Sequence, residues 1–237
     1  MGLNQIIDEL KSLADPEKAG AHQRFFKTGP GEYGEGDLFW GVRVPDIRKT
    51  AKKYGDISYG DIKTLICSKI HEQRFLALII LLNMLSKKRC SMAEQKKIFD
   101  FYIMHRKYVN NWDLVDVSAP GIAGRWLMDK DKQILYDFAM SQNLWERRIA
   151  IIGTFYFIKK NEFEHTIKLS RILVKDKEDL IHKAVGWMLR EVGKRNMAEE
   201  EFFLKANLNQ MPRTMLRYAI EKFPEDLRQK YLKGEVV

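Results

Sequence analysis

A basic residue followed three positions later by a small or apolar one recurs along the chain: Arg74 with Ala77, Arg147 with Ala150, Lys183 with Gly186 and Arg213 with Leu216. The interval from 74 to 147 is about double the others. The segment VNNWDLVD at 109–116 fills it, with Asp113 in the basic position and Asp116 in the small one, and the steps become 39, 34, 36 and 30 residues. A period of that size belongs to helical-pair repeats, in which one pair cannot bury its apolar face and must stack on the next. The predicted fold is therefore all-α, a HEAT/armadillo-like helical-repeat superhelix with a concave basic surface, as a single α-solenoid domain over 1–237.

The patterning agrees. Residues 75–85 (FLALIILLNML), ERRIAIIGTFYFIKK, LIHKAVGWMLREVGK and TMLRYAIEKF carry apolar positions at helical spacing, several too apolar for surface helices, so they are expected as buried inner helices with outer partners. Glycine and proline gather in TGPGEYGEGD and GVRVP, near the N-terminus. GPGEYG at 29–34 fits GxGxxG formally, but no strand precedes it and no helix opens on its last glycine, so it reads as a mobile interhelical loop and not a dinucleotide site.

Charge and cysteine usage narrow the partners. Lysine and arginine outnumber the acids 41 to 32, a net charge of +9 that favours a polyanionic partner, nucleic acid or a lipid surface. The longest apolar run is about half a bilayer span and is interrupted by Asn83, so no membrane segment is expected. MGLNQIIDELKSLAD reads as an amphipathic first helix and not a secretory signal, and Ile6 stands where myristoylation wants Ser or Thr. Cys67 and Cys90 lack paired spacing, which fits a reducing cytoplasm, and the five histidines have no metal-ligand spacing. No cofactor or metal is expected.

Asp116 is the exception within the repeat. A carboxylate where other units carry Ala or Gly is costly unless it is paired or has a role, and position alone does not choose between a bond to a neighbouring repeat's arginine and a functional group. Trp112 lies four residues before it, on the same helical face. Trp145 and Arg148, and Trp187 and Arg190, repeat an aromatic–guanidinium spacing of three in later units. Each tryptophan alone reads as packing. Taken together, Trp112, Asp116, Arg148 and Trp187 fall near equivalent points of three consecutive repeats. A lone carboxylate among aromatic faces and arginine suits a cationic transition state. Asp113 lies on another helical face, in the ordinary surface or phosphate-side position, so no second carboxylate is at hand as general acid and the leaving group should need no protonation.

At these residues the chain resembles the AlkD-type DNA alkylation repair family, HEAT-like DNA glycosylases that excise N3- and N7-alkylated purines. The resemblance runs through FWGVRVPDIRK at 39–49, NNWDLVD at 110–116, LWERRIA at 144–150, KAVGWMLRE at 183–191 and MLRYAIEK at 215–222. It implies Asp116 as catalytic aspartate, Trp112 and Trp187 as the tryptophans flanking the lesion, and Arg148 as a phosphate contact. Arg48 matches another DNA-contacting arginine. Phe25 stands where a family member has tyrosine, and Arg43 where it has glutamine. Lys183, Arg190 and Arg217, with Lys27 behind them, complete the expected DNA-binding set. The implied reaction is metal-free hydrolysis of the N-glycosidic bond in double-stranded DNA, in base excision repair. The cationic base leaves unprotonated, and the family engages the backbone without needing a pocket for the base. A monomeric, cytoplasmic protein is expected. Two rivals stand beside this reading: a catalytically silent HEAT-like DNA-binding module, and a helical scaffold for an acidic protein.

Overall fold

A computed structural model of the chain describes residues 2–236 and divides into two compact units, 1–118 and 119–237. The first holds α1 (Leu3–Ser12), α2 (Pro16–Phe25), α3 (Val44–Lys53), α4 (Tyr59–Ile66), α5 (His71–Leu85), α6 (Met92–Met104) and α7 (Trp112–Ser118). The second opens with a π-turn at Pro120–Gly124 and continues through α8 (Arg125–Leu127), α9 (Gln133–Ala139), α10 (Leu144–Gly153), α11 (Phe155–Ile158), α12 (Glu164–Leu173), α13 (Asp179–Gly193), α14 (Met197–Asn207), α15 (Arg213–Ala219) and α16 (Glu225–Lys233). The fold is an all-α helical repeat. Extended pairing among the described residues is limited to one isolated bridge, Leu38 with Ile70.

Side-chain caps set where helices begin. Asp15 accepts from the Lys18 amide ahead of Pro16. Ser58 and Asp61 form a reciprocal capping box, and Ser91, Asn143 and Asn196 cap α6, α10 and α14. The repeat register falls on the first turns of α5, α7, α10, α13 and α15, the inner helices. Of these α5 is the most deeply sunk, buried continuously from His71 to Leu81.

The basic register position has a structural task that the spacing alone did not disclose. Arg74 donates to the Ser68 carbonyl at 3.0 Å and Arg147 to the Ser141 carbonyl at 3.0 Å, in both cases six residues back into the loop before the helix. In the next repeat His182 bonds the Asp176 carbonyl, again six back, at 2.6 Å. Arg74 also meets Asp37 at 2.6 Å, and Arg147 meets Asp176 at 2.7 Å. These residues brace interhelical turns.

The small position permits close helix packing. Ala77, Ala150 and Gly186 are buried, and a Cβ added at Gly186 would stand 2.4 Å from the Met215 carbonyl oxygen and 2.6 Å from Tyr218 Cβ on α15. Gly186→Ala should therefore force α13 and α15 apart and cost about 1–3 kcal/mol, as overpacking does. Urea unfolding checks this, and an unchanged midpoint would show that α15 gives way freely. Asp116 occupies the corresponding place on α7 but is only half-buried.

Candidate functional site

In the first unit, the candidate residues Trp112 and Asp116 stand on α7. Asn111, fully buried, accepts the Trp112 amide through its Oδ1 at 2.8 Å and the Val115 amide through its carbonyl at 3.1 Å, which starts the helix at Trp112. Asp116 follows one turn later. Tyr102, completely buried behind α7, has its hydroxyl within 3.1 Å of Ser118. Burial holds that hydroxyl above the ordinary tyrosine value, and the negative charge of Asp116 adds to the effect.

Trp112 is anchored by two adjacent phenylalanines at the end of α2. Phe26 stacks on it with ring centroids 5.3 Å apart and 20° between planes, and Phe25 meets it edge-on at 5.8 Å. The stack continues inward from Phe26 to Phe39 at 5.0 Å and from Phe39 to His71 at 4.4 Å. Phe25 itself is 64% exposed. Of the residues expected from the sequence, the structure thus sets Phe25 against Trp112 at the start of α7, with Asp116 one turn further along that helix.

Asp113 is not the surface carboxylate expected. Only 14% of its side chain is exposed, and its Oδ2 lies 2.8 Å from Nε2 of the buried His71, whose Nδ1 lies 3.1 Å from Asp37. Asp37 in turn pairs with Arg74. A histidine between two carboxylates uses both ring nitrogens as donors, which is the imidazolium form. Burial alone would depress its pKa, but the hydrogen bonds to Asp113 and Asp37 outweigh burial and hold it above the ordinary 6.5. Burial pushes Asp37 up, yet the His71 hydrogen bond and the Arg74 charge carry it below the usual carboxylate value.

The signs give a pH window. A raised His71 contributes stability in full below about pH 6.5, and that contribution is lost as pH rises through its folded value. The lowered Asp37 contributes above the ordinary aspartate range and loses its contribution only in acid. Stability is therefore expected to decline as pH rises through the folded value of His71, which lies above 6.5, with Asp113→Asn flattening the decline. Denaturant melts across that range, with NMR titration of the His71 ring, check both parts.

Glu72, beside His71, fixes the loop ahead of α3. Its carboxylate accepts the amides of Trp40, Gly41 and Val42 at 2.7 to 3.2 Å. Gly41 has φ +80°, and a Cβ there would lie 2.1 Å from the Asp15 carbonyl oxygen, so only glycine fits. The loop delivers Arg43, 67% exposed, with its Nε 3.1 Å from Asp46. Arg48 stands on the exposed face of α3, opposite buried Ile47 and Ala51, and Lys27 is exposed with φ +51° just after Phe26. The glycine-rich segment forms a series of short turns, in which Gly34 donates to the Lys27 carbonyl and Glu32 and Glu35 accept the Gly29 and Gly31 amides.

In the second unit, Arg148 on α10 is 5% exposed and donates to the Leu180 carbonyl at the start of α13, at 2.5 Å. Trp187 is half-buried, 5.7 Å from the Phe155 ring. It also hydrogen-bonds Glu191 one turn on. Burial pushes the Glu191 carboxyl up, and its bonds to Lys194, Arg195 and Trp187 bring it below its ordinary value. Lys183 pairs with Asp179 at 2.7 Å, Arg190 pairs with Glu221, and Arg217 is exposed. No group of acidic, histidine or cysteine side chains set to hold a metal occurs among the described residues, and no helix there is long and apolar enough to cross a membrane.

Sequence reasoning missed Phe26, Phe39, His71, Asp37 and Glu72. The FF pair at 25–26 and the spacing of His71 to Arg74 were the available signals. Neither says which loop will supply the partners.

A family described as DNA alkylation repair enzyme matches residues 6–223. No curated protein matches the chain. Among solved structures it is similar to a predicted DNA alkylation repair enzyme from Enterococcus faecalis, with 19% identity, a TM-score of 0.69, and coverage of 90% of this chain and 97% of that one. It is also similar to AlkD2 from Streptococcus mutans, with 20% identity, a TM-score of 0.54, and coverage of 94% and 99%. At these identities the likeness carries the fold alone.

Proposed function

The chain belongs to the DNA alkylation repair enzyme family, and from that premise we propose that it is a monofunctional DNA glycosylase that removes cationic N3- and N7-alkylated purines, such as 3-methyladenine and 7-methylguanine, from double-stranded DNA. It would act in base excision repair, in the cytoplasm, as a monomeric single solenoid domain. The observation that carries the reading is Asp116. It replaces the small residue of the repeat one turn beyond Trp112, and it stays half-exposed where Ala77, Ala150 and Gly186 are sealed.

Alkylation at N3 or N7 gives the purine a positive charge. When the bond from C1′ to the base nitrogen breaks, its electron pair goes to the ring, and the base leaves neutral without a general acid. The sugar takes on oxocarbenium character. Asp116 stabilises that charge and positions water, whose oxygen bonds C1′ while its proton passes to the carboxylate or solvent. The ring faces of Trp112 and Trp187 add attraction for the cation, about 0.5–2 kcal/mol each according to desolvation. Phe25, Lys27, Arg43, Arg48, Arg148, Lys183, Arg190 and Arg217 are assigned to the DNA.

The test is release of free base from duplex DNA carrying 7-methylguanine or 3-methyladenine, at low salt without added metal. Release is expected. A protein that binds the duplex and releases nothing is instead the silent binding module, a reading favoured by one feature: Phe26 covers one face of Trp112, as it would for a tryptophan that only packs.

A further inference from the structure

The two tryptophans assigned to the lesion are held in different ways. Trp112 is fixed by two phenylalanine rings, one stacked and one edge-on. Trp187, on α13 in the second unit, meets the ring of Phe155 at 5.7 Å with 54° between the planes, and its indole N–H donates to the carboxylate of Glu191 one turn on. A tilted ring contact resists displacement but leaves the indole free to turn about its stem. A hydrogen bond at the nitrogen on its rim stops that turn.

Glu191 is itself locked in place. It is buried, with Lys194 Nζ 2.6 Å from one carboxylate oxygen and Arg195 Nη1 3.3 Å from the other. Arg195 also donates to the Glu191 main-chain carbonyl at 2.8 Å. Burial works against ionisation, and the donors outweigh it, so Trp187 faces a charged acceptor, which makes the stronger kind of hydrogen bond. Ion pairs between residues three and four apart at a helix end contribute little by themselves. They do not account for a carboxylate drawn out of water against a tryptophan.

We propose that Glu191 is a positioning residue for base release: through its bond to the indole N–H it sets the angle at which Trp187 presents its ring face to the developing cation. The inference rests on the role given to Trp187 above. A cation is attracted to the face of an aromatic ring and not to its positive edge, so a turned ring forfeits the attraction with the tryptophan still present.

The experiment makes Glu191→Leu and Glu191→Gln in the full chain, each alone and together with Trp187→Phe. With isotope-labelled tryptophan, the Trp187 indole N–H resonance is identified by its loss in Trp187→Phe. It is expected to move in Glu191→Leu and to exchange with water faster, and to stay near the parent position in Glu191→Gln, which keeps an acceptor. Single-turnover release of 7-methylguanine from duplex DNA should slow about 2- to 30-fold in Glu191→Leu, the range of one cation–π contact, with most of the rate recovered in Glu191→Gln. Phenylalanine at 187 has no N–H to be held, so adding Glu191→Leu to Trp187→Phe should bring no further loss of rate. An unmoved indole resonance, a parent rate in Glu191→Leu, or an equal further loss in the Trp187→Phe background overturns the proposal, the last being the result for a residue that only closes the end of α13. No release by the parent removes the glycosylase reading and the positioning role with it, whereas release by the parent with no loss in Glu191→Leu removes the positioning role alone.

Discussion

Replacing Asp116 by asparagine is expected to slow base release by about 10²–10³-fold, the usual loss when one preorganised charge-stabilising group is removed, while most duplex binding is retained. The substitution keeps shape and removes charge. Asp113→Asn makes the contrast. Asp113 meets His71 at 2.8 Å, and its loss should appear mainly as lowered stability. Single-turnover base release with both variants separates the acids, and equal rates for parent and Asp116→Asn would end the role given to Asp116.

That contrast marks how far the sequence could be read. The helical repeat was legible, because a basic residue and a small one recur at the same turn of successive inner helices, and each has a local reason to be there. Arg74 and Arg147 brace the loops before their helices, and Gly186 admits α15. Asp116 was legible for the same reason, as a departure from a period. Asp113 was misplaced in the surface position because its partner is 42 residues away in sequence and on another helix. Helical periodicity assigns a face to a residue but cannot say that His71 will meet that face. The ring stack from Trp112 to Phe39 was hidden likewise, since FF at 25–26 and FW at 39–40 read as ordinary core until the glycine-dependent turns at Gly34 and Gly41 fold them together. At Gly34 a Cβ would stand 2.4 Å from the Phe26 carbonyl oxygen, so the loop closes against Phe26 only with glycine there.

Affinity for undamaged duplex should fall about 150- to 500-fold when salt is raised fourfold, if four or five phosphates are neutralised at a slope of about −0.9 for each. The cations assigned to DNA are not equivalent, and the structure orders them. Lys27, Arg48 and Arg217 are exposed, and the exposed Arg43 has a half-buried partner in Asp46, so each is positioned to displace counterions from the backbone. Arg48→Gln and Arg217→Gln should each reduce the slope by about 0.9. Arg190 is already neutralised by Glu221, and only 15% of its side chain is exposed. Arg190→Gln should lower affinity by leaving Glu221 with Lys222 alone as its ion-pair partner, while leaving the slope nearly unchanged. Arg148 is a different case again. Its Nη1 supports the Leu180 carbonyl from a buried position, so Arg148→Gln should cost about 1–3 kcal/mol of folding stability besides any loss of phosphate contact, because a buried acceptor loses its donor. Fluorescence anisotropy of labelled duplex over a salt series, paired with urea melts, measures both quantities. A flat salt dependence in the parent would remove DNA as the partner of this surface. A full unit of slope lost in Arg190→Gln would mean that the ion pair with Glu221 opens when DNA binds.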